Sequence, residues 1–308
     1  MMAELRFDGR TAIVTGAGGN PSLGRAHAML LAARGANVVV NDIGGGAGPA
    51  GSASAQAVAD EIVALGGKAV ADTNSVATPE GAAAMVKTAL DAFGGIDIIV
   101  NNAGVVYVAP LEEITIRDYQ RTAEVNLLGP MYLVRAAWPH MKAKGYGRIV
   151  NIASSSMFGC ALQIAYGATK GGMLALTQGL AAEGEPYGIK VNAVGPGAFT
   201  RMVIAAREED SRAYQYSKQH MPAELVSPAI AFFAHEDCPV SGECLEVMGG
   251  GVRRVYYART EGITDLDLKP ETIAERWDEI VAGTSERRIP PAEMDGFSAQ
   301  GRPYVPSE

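Results

Sequence analysis

Strand-sized apolar runs that do not alternate constrain this chain more than any other feature of its sequence. They are TAIVT (11–15), NVVVND (37–42), KAVAD (68–72), IDIIVNN (96–102), GRIVNIAS (147–154), IKVNAV (189–194) and CLEVMG (244–249). A strand with one wet face alternates apolar and polar residues, whereas a strand covered on both faces is apolar throughout. Ala- and Leu-rich segments with helical spacing separate the runs, near 22–34, 53–65, 79–93, 115–143, 164–184 and 222–234. The series predicts a single α/β domain of the Rossmann type, a doubly wound, seven-stranded parallel sheet with helices on both faces. This domain is expected to span residues 1–258 and to include a substrate lid at about 198–221. Beyond it lies one amphipathic helix, Pro270 to Ala282, and then RRIPPAEMDGFSAQGRPYVPSE. Such a tail builds no core of its own, so 259–308 is expected to wrap a neighbouring subunit or to stay mobile.

Composition excludes several classes. A formal net charge of −8 without a Lys/Arg run argues against a nucleic-acid surface. The apolar stretches are too short for a membrane span, and MMAELRFDGR lacks an apolar signal core, so a cytoplasmic location is expected. Three cysteines (Cys160, Cys238, Cys244) without CxxC spacing suit small buried thiols better than a disulfide framework or a zinc site. His27, His140, His220 and His235 are scattered and read as surface or helix-end residues. No metal is expected.

The first chemical motif follows the first strand. TGAGGNPSLG (15–24) places glycines where a backbone can approach a pyrophosphate, ahead of a helix N-terminus with its amides and partial positive charge. The inserted Asn20-Pro21-Ser22 lengthens the turn, and Ser22 is expected to cap the helix and to contact the pyrophosphate. A tight structural turn would look similar. Eighteen residues beyond Gly24, strand two ends in Asn41-Asp42. A carboxylate there accepts hydrogen bonds from ribose hydroxyls and repels a 2′-phosphate, which points to NAD over NADP; an Asp that merely caps a strand end is the alternative.

The second is Tyr166-Gly167-Ala168-Thr169-Lys170, in which a phenol and an ammonium four residues apart share one helix face. Free tyrosine titrates near ~10, and lowering that by ~3 units requires roughly 4 kcal/mol of differential stabilisation. A lysine ammonium and an oxidised nicotinamide supply stabilisation of that kind, giving a general acid/base. Third, Ser154-Ser155-Ser156 ends the fifth strand, where a hydroxyl can hold a substrate oxygen beside the phenol or can simply cap the next segment. Asn101-Asn102-Ala103-Gly104 ends the fourth strand, and Asn126 lies in the helical stretch after it.

TG near the N-terminus, NNAG at 101–104, Asn126, Ser154, YxxxK at 166–170 and PG at 196–197 stand in one order. Together they resemble the short-chain dehydrogenase/reductase family over about residues 8–255. GRAHAMLLAARGANVVVNDIGG, KTALDAFGGIDIIVNNAG, RAAWPHMKAKGYGRIV and SGECLEVMGGGVRRVYYART are similar, within it, to the (R)-3-hydroxyacyl-CoA dehydrogenase unit of peroxisomal multifunctional enzyme type 2 and its bacterial stand-alone relatives. The resemblance implies an NAD-dependent oxidoreductase that interconverts a secondary alcohol and a ketone, with Tyr166 as acid/base and Lys170 lowering its pKa and holding the nicotinamide ribose. It implies that Ser154 orients the reacting oxygen and that Asn126 supports a water linking Lys170 to solvent. The implied cofactor contacts are Gly16, Gly18, Ser22, Leu23, Gly24, Asp42, Asn74, Ser75, Asn102, Ala103, Gly104, Pro196, Gly197 and Thr200, besides Tyr166 and Lys170. Two departures stand out. The family's usual spacing back from the tyrosine falls on Ala153, while aligning on RIVNIAS selects Ser154, with Ser155 as a lesser candidate. Asn74 stands where an Asp is more often seen.

The lid carries Met202, Val203, Ile204, Tyr214 and Tyr216 with Arg201, Arg207 and Arg212. That mixture suits an apolar tail with an anionic head, as in an acyl-CoA, and suits a solvated amphipathic helix equally well. Tyr107, Met157 and Phe158 are further pocket candidates. A steroid or other hydrophobic-alcohol dehydrogenase, a 3-oxoacyl carrier-protein reductase and an NAD-binding redox sensor are the alternatives. Relatives of this kind form homodimers or homotetramers through the long helices over 115–143 and 164–184.

Overall fold

The computed structural model describes residues 4–44, 54–206 and 208–282, with the backbone of 287–288. The expectations for Arg207 and for the tail over 283–286 and 289–308 lie outside the described residues. Two compact units divide the chain, 1–254 and 255–308.

The first unit is built on a sheet of eight strands in the order β3-β2-β1-β4-β5-β6-β7-β8. Its strands are β1 (Thr11–Thr15), β2 (Asn37–Asn41), β3 (Lys68–Asp72), β4 (Ile98–Asn101), β5 (Gly147–Ile152), β6 (Ile189–Gly197), β7 (Cys244–Met248) and β8 (Gly251–Val255). β1 to β7 pair in parallel; at the centre Ile13 stands opposite Val39 on β2 and Ile99 on β4. The eighth strand was not expected. Only Gly249 and Gly250, both at positive φ, separate it from β7, so it folds back as a hairpin on the sheet edge. Its Val252, Arg253 and Arg254 are exposed, which removes the apolar signal by which the other strands are read.

Helices cover both faces. On one side lie α1 (Leu23–Ala33), α2 (Ala55–Ala64) and α9 (Ser227–Ala234). Their apolar residues join Ala12, Val14, Val38 and Val40 in one core. On the other side α3 (Pro79–Phe93), α5 (Gly129–Lys144) and α6 (Ile164–Gly184) meet Ile13, Val39, Ile99 and Ile149 in a second core. Successive residues of a strand thus enter different cores, and each must be apolar; this is the physical reason for the unbroken runs. His27 is a correction to the sequence reading. It is fully buried on α1 against α9, where its Nδ1 lies 2.8 Å from Ser227 Oγ, and burial holds its pKa down to about 3. His235 is buried too. Cys160 is exposed, whereas Cys238 and Cys244 are buried.

The expected helix over 115–143 is two helices, α4 (Ile116–Ala123) and α5, joined by a wider turn at Glu124–Leu128. A π turn of this kind is frequent at functional sites. The segment expected to form a lid holds α7 (Arg201–Ala206) and α8 (Arg212–His220), with Tyr214 edge-on to Phe199 at 5.2 Å. Tyr214 is therefore part of this segment's own small core, and Tyr216 is exposed. In the second unit, β9 (Ala258–Arg259) pairs with β10 (Arg287–Arg288), and α10 (Pro270–Glu275) breaks from α11 (Trp277–Val281) at Arg276.

Candidate active site

Strand order runs outward from β1 in one direction and from β4 in the other, so the carboxyl ends of these two strands form the switch-point crevice of an open α/β sheet. β1 ends at Thr15, and the chain turns at Gly16 with φ +65°. A Cβ at Gly16 would lie 2.8 Å from Ala103 Cα, so the two loops meet without room for a side chain. The buried Thr15 hydroxyl accepts the N–H groups of Asn102 and Ala103, both at 3.0 Å. Asn102 returns the contact, its amide donating to the carbonyls of Thr15 (2.7 Å) and Gly16 (3.1 Å). A Cβ on Gly104 would come 3.4 Å from Asn126 Oδ1. Gly16, Asn102, Ala103 and Gly104 are thus brought together, and Thr15 is a residue the sequence reading missed.

The long turn is anchored at both ends. Gly18 N–H donates to the Asp42 carboxylate at 2.9 Å, and the other Asp42 oxygen takes Gly44 N–H at 2.9 Å. Ser22 caps α1 as expected, its hydroxyl accepting Arg25 N–H (3.2 Å) and donating to the Gly19 carbonyl (2.9 Å). Leu23 and Gly24 open the helix, and a Cβ at Gly24 would meet Ala17 Cα at 2.8 Å. The Asn20–Pro21 peptide is cis. Pro21 also accepts the backbone N–H of Arg201 at 3.2 Å, and the Arg201 guanidinium lies against Gly19. Asn74 and Ser75 follow β3, beside the end of β2, where the Asn74 carbonyl accepts from Asn41 (2.8 Å) and its side-chain amide donates to Asp72 (2.9 Å). The Ser75 hydroxyl accepts Ala77 N–H at 3.2 Å.

α6 presents Tyr166 and Lys170 one turn apart. Lys170 is buried, donates to the Ile152 carbonyl at the end of β5 (2.6 Å), and lies 5.6 Å from the centre of the Tyr166 ring. With no carboxylate paired to it among the described residues, burial draws its pKa from the usual 10.5 down to about 8. Burial pushes the Tyr166 phenol up, and the neighbouring Ser154 hydroxyl opposes that shift. Ser154 also accepts Ser156 N–H at 3.2 Å, whereas Ser155 is exposed. Of the two serine candidates, Ser154 is the one beside the phenol.

Asn126 sits in the π turn and grips the backbone of Val105, accepting its N–H and donating to its carbonyl, both at 2.8 Å. Its amide is 3.5 Å from the Thr169 hydroxyl, so it meets α6 beside Lys170 and not at the ammonium itself. Behind this layer runs a buried chain: Asn101 donates to Asn151 (2.8 Å), Asn151 to Thr177 (2.9 Å), and Thr177 to the Met173 carbonyl (2.7 Å). It bolts α6 to β4 and β5. Nothing in the sequence around Thr177 marks it beyond a threonine within an apolar helix. Pro196 and Gly197 end β6, and Thr200 leads into α7, where its carbonyl accepts Ile204 N–H at 3.0 Å. A Cβ on Gly197 would lie 2.7 Å from Met248 Cγ, so β6 meets β7 here at close range.

Residues 10–211 match the family model described as short chain dehydrogenase. The chain belongs to the short-chain dehydrogenase family. It is 41% identical over 277 residues to a short-chain type dehydrogenase/reductase of Mycobacterium tuberculosis, covering 88% of this chain and 93% of that one. It is 40% identical over 288 residues to mouse peroxisomal multifunctional enzyme type 2, covering 91% of this chain and 38% of that enzyme's length. Among solved structures, a 7α-hydroxysteroid dehydrogenase complexed with NADH and 7-oxo glycochenodeoxycholic acid superposes with TM-score 0.72 at 30% identity, covering 82% of this chain and 98% of that one. This short-chain dehydrogenase is an oxidoreductase with a nicotinamide cofactor. The residues fit such a dinucleotide: a glycine cradle without room for Cβ atoms lies at a helix N-terminus, and a carboxylate stands at the end of β2. Among the described residues no helix is long and apolar enough to cross a membrane, and no group of three His, Cys, Asp or Glu could hold a metal ion.

Proposed function

We propose that this short-chain dehydrogenase uses NAD to interconvert a secondary alcohol and a ketone, on a substrate resembling a 3-hydroxyacyl-CoA. The observation that carries the reading is the phenol of Tyr166 beside the Ser154 hydroxyl, with the buried ammonium of Lys170 one turn away. When bound, the nicotinamide takes up or gives the hydride of the carbinol carbon. In oxidation Tyr166, as phenolate, removes the hydroxyl proton while Ser154 steadies the oxygen that becomes the carbonyl. In reduction the neutral phenol donates that proton back. Burial favours the neutral phenol, so the chain by itself is set for the acid role; an ammonium one helical turn away, as at Lys170, favours the phenolate of the base role. Lys170 and Tyr166 hold the nicotinamide ribose. Asn126 fixes the loop after β4 against α6, and a water it supports relays the proton from Lys170 outward.

Asp42 supports NAD over NADP, because a 2′-phosphate would meet its carboxylate. Exposed Phe158, Leu162, Met202 and Ile204 support an apolar substrate, and the hydrogen bond from Ala109 N–H to the Leu162 carbonyl (2.9 Å) joins the loops after β4 and before α6. The likeness to the hydroxysteroid dehydrogenase favours a steroid or other hydrophobic alcohol as the second reading. A cytoplasmic homodimer or homotetramer held through α5 and α6 belongs to the same proposal, and light scattering tests the assembly. The deciding experiment is an NAD-coupled assay over (R)- and (S)-3-hydroxyacyl-CoAs, steroids and simple secondary alcohols. Tyr166→Phe is expected to lower kcat by at least about 10²-fold while leaving NAD affinity within about twofold. Full activity in that variant would sink the assignment; tight NAD binding without turnover on any alcohol would make the protein a sensor.

A further inference from the structure

Arg201 stands in an unusual position for a guanidinium. Its Nη1 is buried and has no hydrogen-bond partner, and no carboxylate among the described residues pairs with it. An arginine carries five N–H donors and cannot shed its charge, so a buried unpaired nitrogen marks a place where an anion completes the site. The neighbours identify the anion. A Cβ on Gly19 would lie 2.6 Å from both Nε and Cζ of Arg201, so the guanidinium occupies the face of the glycine turn itself. The backbone N–H of Arg201 is fixed to Pro21, inside the Asn20-Pro21-Ser22 stretch that makes that turn two residues longer. Arg25, the cation on the first turn of α1, is taken by Glu61 at 3.0 Å. Among the described residues the turn thus keeps one uncommitted guanidinium, delivered from the segment after β6.

We propose that Arg201 is the side-chain partner of the dinucleotide's diphosphate. Its planar fork matches phosphate oxygens, and the contact comes in addition to the amides at the head of α1. The proposal moves Arg201 from the anionic head of a substrate, where the sequence reading placed it, to the cofactor. It also gives the Asn20-Pro21-Ser22 insertion a task, since Pro21 holds the backbone from which the guanidinium reaches back. This inference rests on the reading that the turn holds a dinucleotide.

The test is calorimetric titration of ADP-ribose and of adenosine into the full-length wild type, Arg201→Met and Arg201→Lys, each at two salt concentrations. Arg201→Met is expected to bind ADP-ribose at least about tenfold more weakly, with a shallower salt dependence, while its adenosine affinity stays unchanged. Arg201→Lys keeps the charge and is expected to retain the wild-type salt dependence with intermediate affinity. Equal ADP-ribose affinity in wild type and Arg201→Met overturns the inference while leaving the dinucleotide reading intact. Tighter binding in Arg201→Met also overturns it, because the guanidinium would then be an obstacle. A wild type that binds neither probe overturns both. Equal adenosine affinity and an unchanged unfolding temperature separate a lost contact from a lost fold.

Discussion

Lys170 carries a charge into a place with no carboxylate to answer it, and the protein sustains a cost for that placement. Unfolded, the lysine titrates near 10.5; folded, near 8. Below pH 8 both states are charged and the full penalty, on the order of 3 kcal/mol, is present; it fades between pH 8 and 10.5, where only the unfolded chain binds the proton. Lys170→Met removes it at the expense of the bond to Ile152, worth about 1 kcal/mol. Denaturant unfolding at pH 7 is therefore expected to show the variant roughly 2 kcal/mol more stable and inactive, with the gap closing as pH rises toward 10.5. A wild type as stable as the variant at every pH would refute this. Asp42 permits a second test. Asp42→Ala is expected to raise the ratio of kcat/KM with NADP to that with NAD at least roughly tenfold, and to loosen the turn that Gly18 N–H ties to it. Tyr166, Lys170 and Asp42 were legible because each lies at a fixed spacing from a strand end or along one helix face. His27 and Arg201 were not: whether a cation or imidazole is buried depends on which distant segment closes over it, here α9 and the glycine turn.

At the level of elements, the site is held by polar ties between parts far apart in the chain. Thr15 joins β1 to the loop after β4, Asn126 joins the π turn to Val105, and Asn101, Asn151 and Thr177 join α6 to the sheet. Thr15→Val keeps the shape but leaves the Asn102 and Ala103 amides without their acceptor. A loss of about 2 kcal/mol is expected from thermal or denaturant unfolding, since each of the two unsatisfied amides is part-buried and costs about 1 kcal/mol, the low end for a buried group. NAD affinity should fall with it; unchanged stability would mean that the loop re-pairs. Strand and helix order were readable from period alone, because burial on both faces writes an unbroken apolar run. The π turn was not, since its cause is tertiary: Asn126 is drawn to the Val105 backbone, and Gly129 fits under Val76. β8 escaped because an exposed edge strand has no reason to be apolar.

Across the whole molecule, stability and chemistry occupy opposite ends of the sheet. The amino ends of β1 and β4 share Asp97, a buried carboxylate that accepts Thr11 N–H (2.9 Å) and pairs with Arg10 (3.3 Å) and Lys144. Beside it Arg148 is spread over the carbonyls of His235 (3.1 Å) and Glu236 (3.0 Å). Asp97→Ala is expected to lower unfolding free energy by on the order of 2 kcal/mol, its partners being partly solvated. kcat/KM in the native range is expected to stay within about twofold, because the groups proposed to react sit at the other end of the strands. A large loss of kcat/KM without a loss of stability would contradict that division. The cysteines differ in a way that can be put to use. Cys238 and Cys244 are buried, and the Cys244 thiol is pushed up to about 12, while Cys160 stands exposed six residues before Tyr166. A maleimide dye added to the folded protein therefore enters at one position per chain without any mutation. The natural sequence carries its own attachment point for a fluorescent reporter, on the loop that leads into the helix of Tyr166.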